Sequence, residues 1–410
     1  MNVMLGRRIA IFQPALHASM GIASHEDLVA ALRRLGHEVQ LVSTSSASPA
    51  DPLPCRVLPE PRWTSGLVAE IGAPFFRTRW LVGAAAALTR YLRRSGGEID
   101  VIYTLIAYPQ ATAAALAIAW SGWRGRLVVM PGGEDLNVAE EAGFGFRRFP
   151  VPRHMVGWTL RRADGICCQS PSLRAIAESY RPKGILRDFP DNVADAVVRF
   201  AEAPAREHEE RRRRARANVD RELGTAGAPL LLALGRLHPV KGYDRLIDLL
   251  PELPHYRLVI AGPSIEMRGY GDVATALRAR AVQRGVVERV TFTGQVPREK
   301  SYELLAAADV LAAPSHCEGM PKTAVEAAAL GTPFVLTDTC GIAAEPHGET
   351  LGRVARHWDA RAFAAALAAA RDLRPDRDEA RAFVRRFSPE RIAGELAALL
   401  DALSPSTRSR

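Results

Sequence analysis

Two short segments carry residue types that can bind a diphosphate and a sugar. In Leu231–Leu250 (LLALGRLHPVKGYDRLIDLL) a buried strand runs into Gly235-Arg236, and Lys241-Gly242 opens an amphipathic helix. Arg grips two oxygens through its fork, Lys acts as a mobile point charge, and a helix N-terminus adds partial positive charge. Taken alone, two loop cations are ordinarily solvated. The second segment is Ala308–Thr337 (ADVLAAPSHCEGMPKTAVEAAALGTPFVLT). A strand ends at Pro314, Glu318-Gly319 occupies a loop, Pro321 fits the first position of a helix, and Gly331 with Pro333 stops it. From Pro321 to Glu326 such a helix rises roughly 7 Å at about 1.5 Å per residue. That span matches the step from a nucleotide's diphosphate to its ribose. Glu326 is then placed to accept both ribose hydroxyls, and Glu318 faces the sugar side. Without the first segment, both glutamates read as a surface carboxylate and a helix-dipole partner.

The elements that must position these groups are legible as alternation. Strands are predicted at Arg8–Phe12, Glu38–Ser43, Asp100–Leu105, Arg126–Met130 and Asp164–Gln169. In the second half they are Pro229–Gly235, Tyr256–Gly262, Arg289–Thr293, Asp309–Ala313 and Pro333–Thr337. Helical stretches separate them, including His25–Leu35, Ser170–Ser179, Tyr243–Leu250, Asp272–Arg284 and Lys300–Ala307. Alternation of this kind builds α/β units with parallel sheets covered on both faces. The expected organisation is an N-terminal Rossmann-like unit over 1–195 and a charged linker or helix over 196–222. A C-terminal Rossmann-like unit over 223–385 follows, then a helix and tail over 386–410 that returns to the first unit. Ligands are expected in a cleft at the carboxyl ends of the strands.

The 410 residues carry 54 Lys+Arg against 45 Asp+Glu, a formal charge of +9, with 48% hydrophobic and 24% charged residues. These are globular values, so a fibrous or largely disordered chain is excluded. The cationic run Arg211-Arg212-Arg213-Arg214 follows Glu207, Glu209 and Glu210 without interleaved aromatics. It reads as a solvated helix face and not a nucleic-acid site. The five cysteines make no C-x-x-C pair, and Cys167-Cys168 reads as strand core. No carboxylate cluster suggests a metal. Met1–Gly6 reads as no export signal, which with the cysteine usage gives a cytoplasmic expectation. The uncharged run Val101–Trp123 is long enough to span a bilayer of about 30 Å, but Pro109 and Gln110 favour a strand, a turn and a helix.

Together the two segments resemble the family-4 retaining glycosyltransferases of the GT-B fold. The matching residues are Gly235-Arg236, Lys241-Gly242, Glu318-Gly319, Glu326-Ala327, Gly331 and Pro333; the two glutamates enclose seven residues. Leu258–Gly262 (LVIAG) and Val290–Val296 (VTFTGQV) add to the match, with Leu35–Val39 and Asp164–Ser170 in the first half. The resemblance implies two doubly wound domains and transfer of a sugar from a nucleotide diphosphate sugar, UDP- or GDP-linked, to an acceptor hydroxyl. It implies transfer with retention and without a metal, for which front-face substitution is the favoured mechanism. Arg236 and Lys241 would bind the diphosphate, Glu326 the ribose and Glu318 the donor sugar. Backbone around Gly319, Met320, Lys322 and Thr323 would line sugar and phosphate beside Pro321, which has no N–H. Gly294, Gln295 and Val296 would border the base. Gly21 stands where the family commonly has paired glycines.

In Gly132-Gly133-Glu134-Asp135-Leu136 a glycine stands where many members have His. Glu134 and Asp135 are candidates for the acceptor, or alternatively cap the next helix. Pro61–Trp80, rich in Arg and aromatics, reads as an aromatic cluster under a long loop, or as a surface that docks an acceptor or rests on an acidic membrane. His316 and Cys317 read as pocket lining, and His17, His25 and His37 as structural. The acceptor is open: a glycan, a lipid-linked sugar or a small metabolite. The rival readings are a silent nucleotide-sugar-binding protein, or an epimerase or phosphorylase of the same fold. Oligomeric state has no signature in the sequence.

Overall fold

A computed structural model describes residues 6–13, 22–44, 55–59, 78–267, 271–344, 350–356 and 358–403. The chain divides into two compact units. The first comprises Met1–Glu140, Gly145–Ala194 and Pro389–Arg410, and the second Glu141–Phe144 with Asp195–Ser388.

The first unit holds seven strands: β1 Arg8–Phe12, β2 Glu38–Ser43, β3 Cys55–Val57, β4 Val101–Leu105, β5 Arg126–Met130, β6 Gly165–Cys168 and β7 Ile185–Asp188. They form a parallel sheet in the order β3-β2-β1-β4-β5-β6-β7, with Ile9 level with Val39 on one side and Val101 on the other. Side chains alternate across a strand, so β1 feeds two cores. Ile9 and Ile11 pack with Leu28, Leu32, Ile392 and Leu396 on one face. Ala10 and Phe12 pack with Ala84, Leu88 and Ile102 on the other. Each fully buried Ile or Leu contributes about 1.5–3 kcal/mol. Cys167 and Cys168 likewise face opposite cores as free thiols, so they cannot pair. The helix Pro389–Ala402 supplies Ile392, Leu396, Leu399 and Leu400 to this unit.

The uncharged run Val101–Trp123 resolves into β4, a turn and the helix Thr112–Ser121, which stops at Gly122. Ten residues span about 15 Å, half a bilayer. Among the described residues, no helix is long and apolar enough to cross a membrane.

The second unit holds β8 Leu230–Leu234, β9 Arg257–Ala261, the short hairpin of β10 Glu266–Met267 and β11 Gly271–Asp272, then β12 Val290–Gly294, β13 Val310–Ala313, β14 Phe334–Thr337 and β15 Gly352–Ala355. Its main sheet runs β12-β9-β8-β13-β14-β15, all parallel. The winding reverses between β8 and β13, the place where open α/β sheets leave a crevice for ligands.

The stretch expected as a charged linker belongs to this unit. Helices Asp195–Glu202 and Ala205–Leu223 occupy it, and the second packs along helix Arg298–Ala307. Its arginines are not all solvated. Arg212 donates to Leu330 O at 3.2 Å and to Thr332 Oγ1 at 2.5 Å. Arg216 donates to Asp309 Oδ2 at 2.7 Å, and the same oxygen accepts from Leu230 N at 2.6 Å. A carboxylate at the start of β13 thereby ties the helix to the start of β8, a non-local contact that charge patterning alone does not reveal.

Candidate active site

Three glycines let the loops above the β8/β13 reversal approach one another. Gly235 follows β8 at φ +146° and Gly262 follows β9 at φ +147°; a Cβ on Gly262 would fall 2.0 Å from Gly235 O. Gly242 has φ +67°, and a Cβ there would fall 2.2 Å from Pro314 O in the loop after β13. Any larger residue at Gly242 or Gly262 must push backbone from backbone, while a Cβ on Gly235 would meet the Tyr243 hydroxyl at 3.1 Å. The short 3₁₀ turn Pro239–Lys241 between them is capped by His238, whose Nδ1 accepts from Val240 N at 3.0 Å. Burial, then Arg236 and Lys241, hold the His238 pKa down to about 4, which keeps the ring neutral for that role. Arg236 is exposed and makes no hydrogen bond or ion pair with a described residue.

Lys241 is engaged. Its Nζ pairs with Glu318 Oε1, while Ser315 Oγ donates to Glu318 Oε2 at 3.0 Å. Thr337 Oγ1 and Thr339 Oγ1 donate to Ser315 O at 2.7 and 2.6 Å, anchoring this chain to the end of β14. The Glu318 backbone is held as well, by Glu318 N to Thr339 O at 3.2 Å and Gly341 N to Glu318 O at 2.9 Å. The sequence assigns Lys241 to the diphosphate and Glu318 to the donor sugar; the structure joins them in one ion pair. Ser315, Thr337 and Thr339 were missed because nothing in their spacing announces a ladder between neighbouring strand ends.

Neighbours of the pair are structural. His316 N donates to Val240 O at 2.7 Å, and His316 Nδ1 lies 2.9 Å from Arg245 Nη2. Burial and then Arg245 lower its pKa. Burial, then Glu318, pushes the Cys317 thiol up to about 12, so it is no nucleophile at neutral pH.

The helix after this loop runs Lys322–Ala329 and stops at Leu330 and Gly331 (φ +71°). Pro321 is its N-cap and not its first residue, and it supplies no side-chain cap. The first-turn N–H groups, at Lys322 and Thr323, form the positive end of the helix. Gly319 is buried and Met320 half-buried just before it. Glu326 is partly buried in the second turn, and no described residue donates a hydrogen bond to its carboxylate. Burial raises its pKa, against the opposing pull of Lys322 and Arg298. Arg298, also missed in the sequence, opens helix Arg298–Ala307 just beyond Gly294, Gln295 and Val296. Gly294 (φ +68°) and Gln295 are exposed and Val296 half-buried, with Gly294 O accepting from Gly262 N at 2.9 Å.

In the first unit the acceptor assignment of Asp135 is corrected. Its side chain is completely buried, with Oδ2 accepting from Ala107 N. The preceding residue, Ile106, holds φ +73°, so the carboxylate secures a turn that a β-branched residue resists. Burial pushes its pKa up to about 7, with the Ala107 N–H opposing. Its Oδ1 makes no hydrogen bond among the described residues, but with no exposed surface the side chain offers an acceptor no access. Glu134 is half-buried, and its carbonyl accepts from Phe146 N at 2.8 Å. His37 is structural: it is buried, and Nδ1 accepts from Arg7 N at 3.1 Å. Gly21, His17, most of Pro61–Trp80 and the tail after Leu403 lie outside the described residues, as does the side chain of His25. Among the described residues, no three His, Cys, Asp or Glu side chains converge as a metal site.

Two doubly wound units, with a glycine-gated cationic loop and an uncapped helix at the second sheet's reversal, define the GT-B class. A family model described as "Glycosyl transferases group 1" matches residues 216–386, and one described as "Glycosyl transferase 4-like domain" matches residues 21–184. The chain belongs to this family, the family-4 glycosyltransferases. It is 34% identical over 175 residues to D-inositol 3-phosphate glycosyltransferase of Nocardia farcinica, covering 40% of this chain and 37% of that protein. It is 27% identical over 289 residues to the GDP-mannose-dependent alpha-(1-6)-phosphatidylinositol monomannoside mannosyltransferase of Mycolicibacterium smegmatis, covering 70% and 62%. The chain thus spans less than two thirds of the length of either relative. Among solved structures, sucrose-phosphate synthase from Thermosynechococcus elongatus superposes with a TM-score of 0.73 at 22% identity, covering 97% of this chain and 99% of that one. HepE of Anabaena, in complex with UDP-glucose, gives 0.73 at 16% identity, covering 97% and 100%.

Proposed function

We propose that the protein is a retaining glycosyltransferase that moves a sugar from a nucleotide diphosphate sugar to a hydroxyl. The observation that carries this reading is Glu326, a partly buried carboxylate with no protein hydrogen bond among the described residues, one turn inside an uncapped helix N-terminus. Ribose hydroxyls supply the donors that carboxylate lacks, and the helix N-terminus with Arg236 receives the diphosphate.

In the proposed reaction the bond between the anomeric carbon and the donor phosphate oxygen breaks. Arg236, Lys241 and the N–H groups at Lys322 and Thr323 stabilise charge on the departing diphosphate. The acceptor hydroxyl attacks from the same face, its proton passes to the departing phosphate oxygen, and configuration is retained. Arrival of the diphosphate gives Lys241 a second anionic partner, and Glu318, oriented by Ser315, turns toward hydroxyls of the donor sugar. Gly319 and Met320 border that sugar; Gly294, Gln295 and Val296 border the base. In this reading the protein's own cations supply the charge that a metal supplies elsewhere.

A UDP- or GDP-linked donor fits relatives whose names or complexes specify GDP-mannose and UDP-glucose. Their names also put a phosphorylated polyol or a glycolipid first among acceptors to try. We place the protein in a bacterial cytoplasm, in keeping with its Ala- and Arg-rich composition, with peripheral contact to the membrane if the acceptor is a lipid. The test is incubation with UDP- and GDP-sugars and a panel of hydroxyl acceptors, read by mass spectrometry and anomeric NMR. Product with the donor's anomeric configuration supports the proposal. Inverted product overturns retention, and unchanged donor with every acceptor overturns transfer.

A further inference from the structure

The second unit contains a cationic cavity apart from the loops above. It measures about 230 Å³ and is bounded by the first turns of helix Ala205–Leu223, the C-terminal end of helix Lys322–Ala329 and the start of helix Arg377–Arg385. His208, Arg212, Arg374 and Arg377 line it; among the described residues, Glu209 is the one acid in its wall.

The arginines hold the cavity's edges through neutral oxygens. Arg212 donates to Leu330 O, Thr332 Oγ1 and Ala308 O, Arg374 to Leu373 O at 2.9 Å, and Arg377 to Ala203 O. A guanidinium carries five N–H donors, so each keeps some in reserve. Elsewhere in this unit Arg216, Arg280 and Arg385 each pair with a carboxylate. None of the three cavity arginines does so with a described residue. His208 is buried and bonded through Nε2 to Ala329 O at 3.2 Å; burial lowers its pKa against the pull of the Ala329 carbonyl, with Arg377 and Arg212 adding to the lowering. Three arginines around one cavity outnumber its single acid, Glu209, and this excess of positive charge favours an anion. The volume lies below the roughly 300–1,000 Å³ of pockets for drug-sized ligands, yet exceeds the roughly 30 Å³ of one water. It suits a phosphate group with a few further atoms.

We propose that this cavity binds the phosphate of a small soluble molecule, separately from the donor. Its occupant also touches the far end of the helix that carries Glu326. Gly331, which ends that helix, would place a Cβ 2.4 Å from His208 Cε1, so ring and helix end are in direct contact.

The test is calorimetry of inorganic phosphate with the full chain, while NMR follows the His208 Cε1–H signal, assigned with His208→Gln. Phosphate should bind, move that signal, and do both equally in Arg236→Gln/Lys241→Gln, which removes the donor cations. Arg374→Gln/Arg377→Gln should weaken it roughly tenfold or more. If that variant melts early, Arg374→Gln alone, at an exposed position, should weaken it in the same direction. Glucose 6-phosphate binding more tightly than phosphate assigns the site to phosphorylated metabolites, and equal binding to free phosphate. Either order supports the site. A His208 signal unmoved by phosphate, or binding abolished by the donor-cation variant, overturns it.

Discussion

Asp135 in the first unit and Glu326 in the second are both desolvated carboxylates in segments that follow parallel strands. Their partners separate them. Asp135 accepts from Ala107 N–H through Oδ2, beside the strained Ile106, and has no exposure. Glu326 retains a partly open side chain and no donor among the described residues. A fully buried acid bonded to backbone holds the fold together; a partly exposed acid without a donor is the one a ligand can reach, and the proposed function uses it so. The same contrast places the Lys241–Glu318 pair between the two, since each charge there is satisfied now and can be shared with a ligand.

The largest expected effect breaks that intermediate case. Lys241→Ala should lower transfer rates by about 10²–10³, the range for removing one charge-stabilising donor, in initial-rate assays with the best donor. Asp135→Ala should leave nucleotide binding intact but lower stability by about 1–3 kcal/mol, read as a shift in the urea midpoint, because Ala107 N–H is left buried and unpaired. Nucleotide affinity falling without loss of stability would place Asp135 in the site after all.

Asp135 also sets a pH dependence. Its folded-state pKa of about 7 lies above the ordinary 3.8, so the folded state binds the proton more tightly. Its contribution to stability is full below the ordinary carboxylate pKa and is lost as pH rises through about 7. Between these limits wild type should lose stability by up to about 1.4 kcal/mol per pH unit relative to Asp135→Asn. Parallel curves for the two proteins would show that the site does not titrate there. The smallest effect belongs to Ser315→Ala, which removes one hydrogen bond to Glu318. Activity should drop several-fold, with stability changed by about 1 kcal/mol or less in thermal melts.

The sheets were readable because buried parallel strands are short apolar runs bounded by Gly, Pro and Asp. Arg8–Phe12, Glu38–Ser43 and Arg126–Met130 are predicted with their observed limits. The edge strands β3, β7 and β15 escaped: at three or four residues, with partly exposed sides, they carry no such run. Helix Pro150–Leu160 was hidden by its two prolines, which sit in its first turn where they are tolerated. In the site, the glycines and cations of the β8 loop are local and legible. What was not legible depends on neighbours distant in sequence: the Lys241–Glu318 pair, the Ser315 ladder, Arg298 beside Glu326, and the burial of Asp135 and Arg212.

The central claim is that Glu326 awaits a ribose. The most direct test is calorimetric titration of nucleoside diphosphates into wild type and Glu326→Ala, with melting temperatures recorded alongside. One nucleotide should bind wild type, and Glu326→Ala should bind it at least roughly tenfold more weakly. The variant should also melt no lower than wild type, because the carboxylate has no protein bond to lose. Equal affinity in the two proteins, or a variant that loses binding only because it has lost stability, would contradict the account.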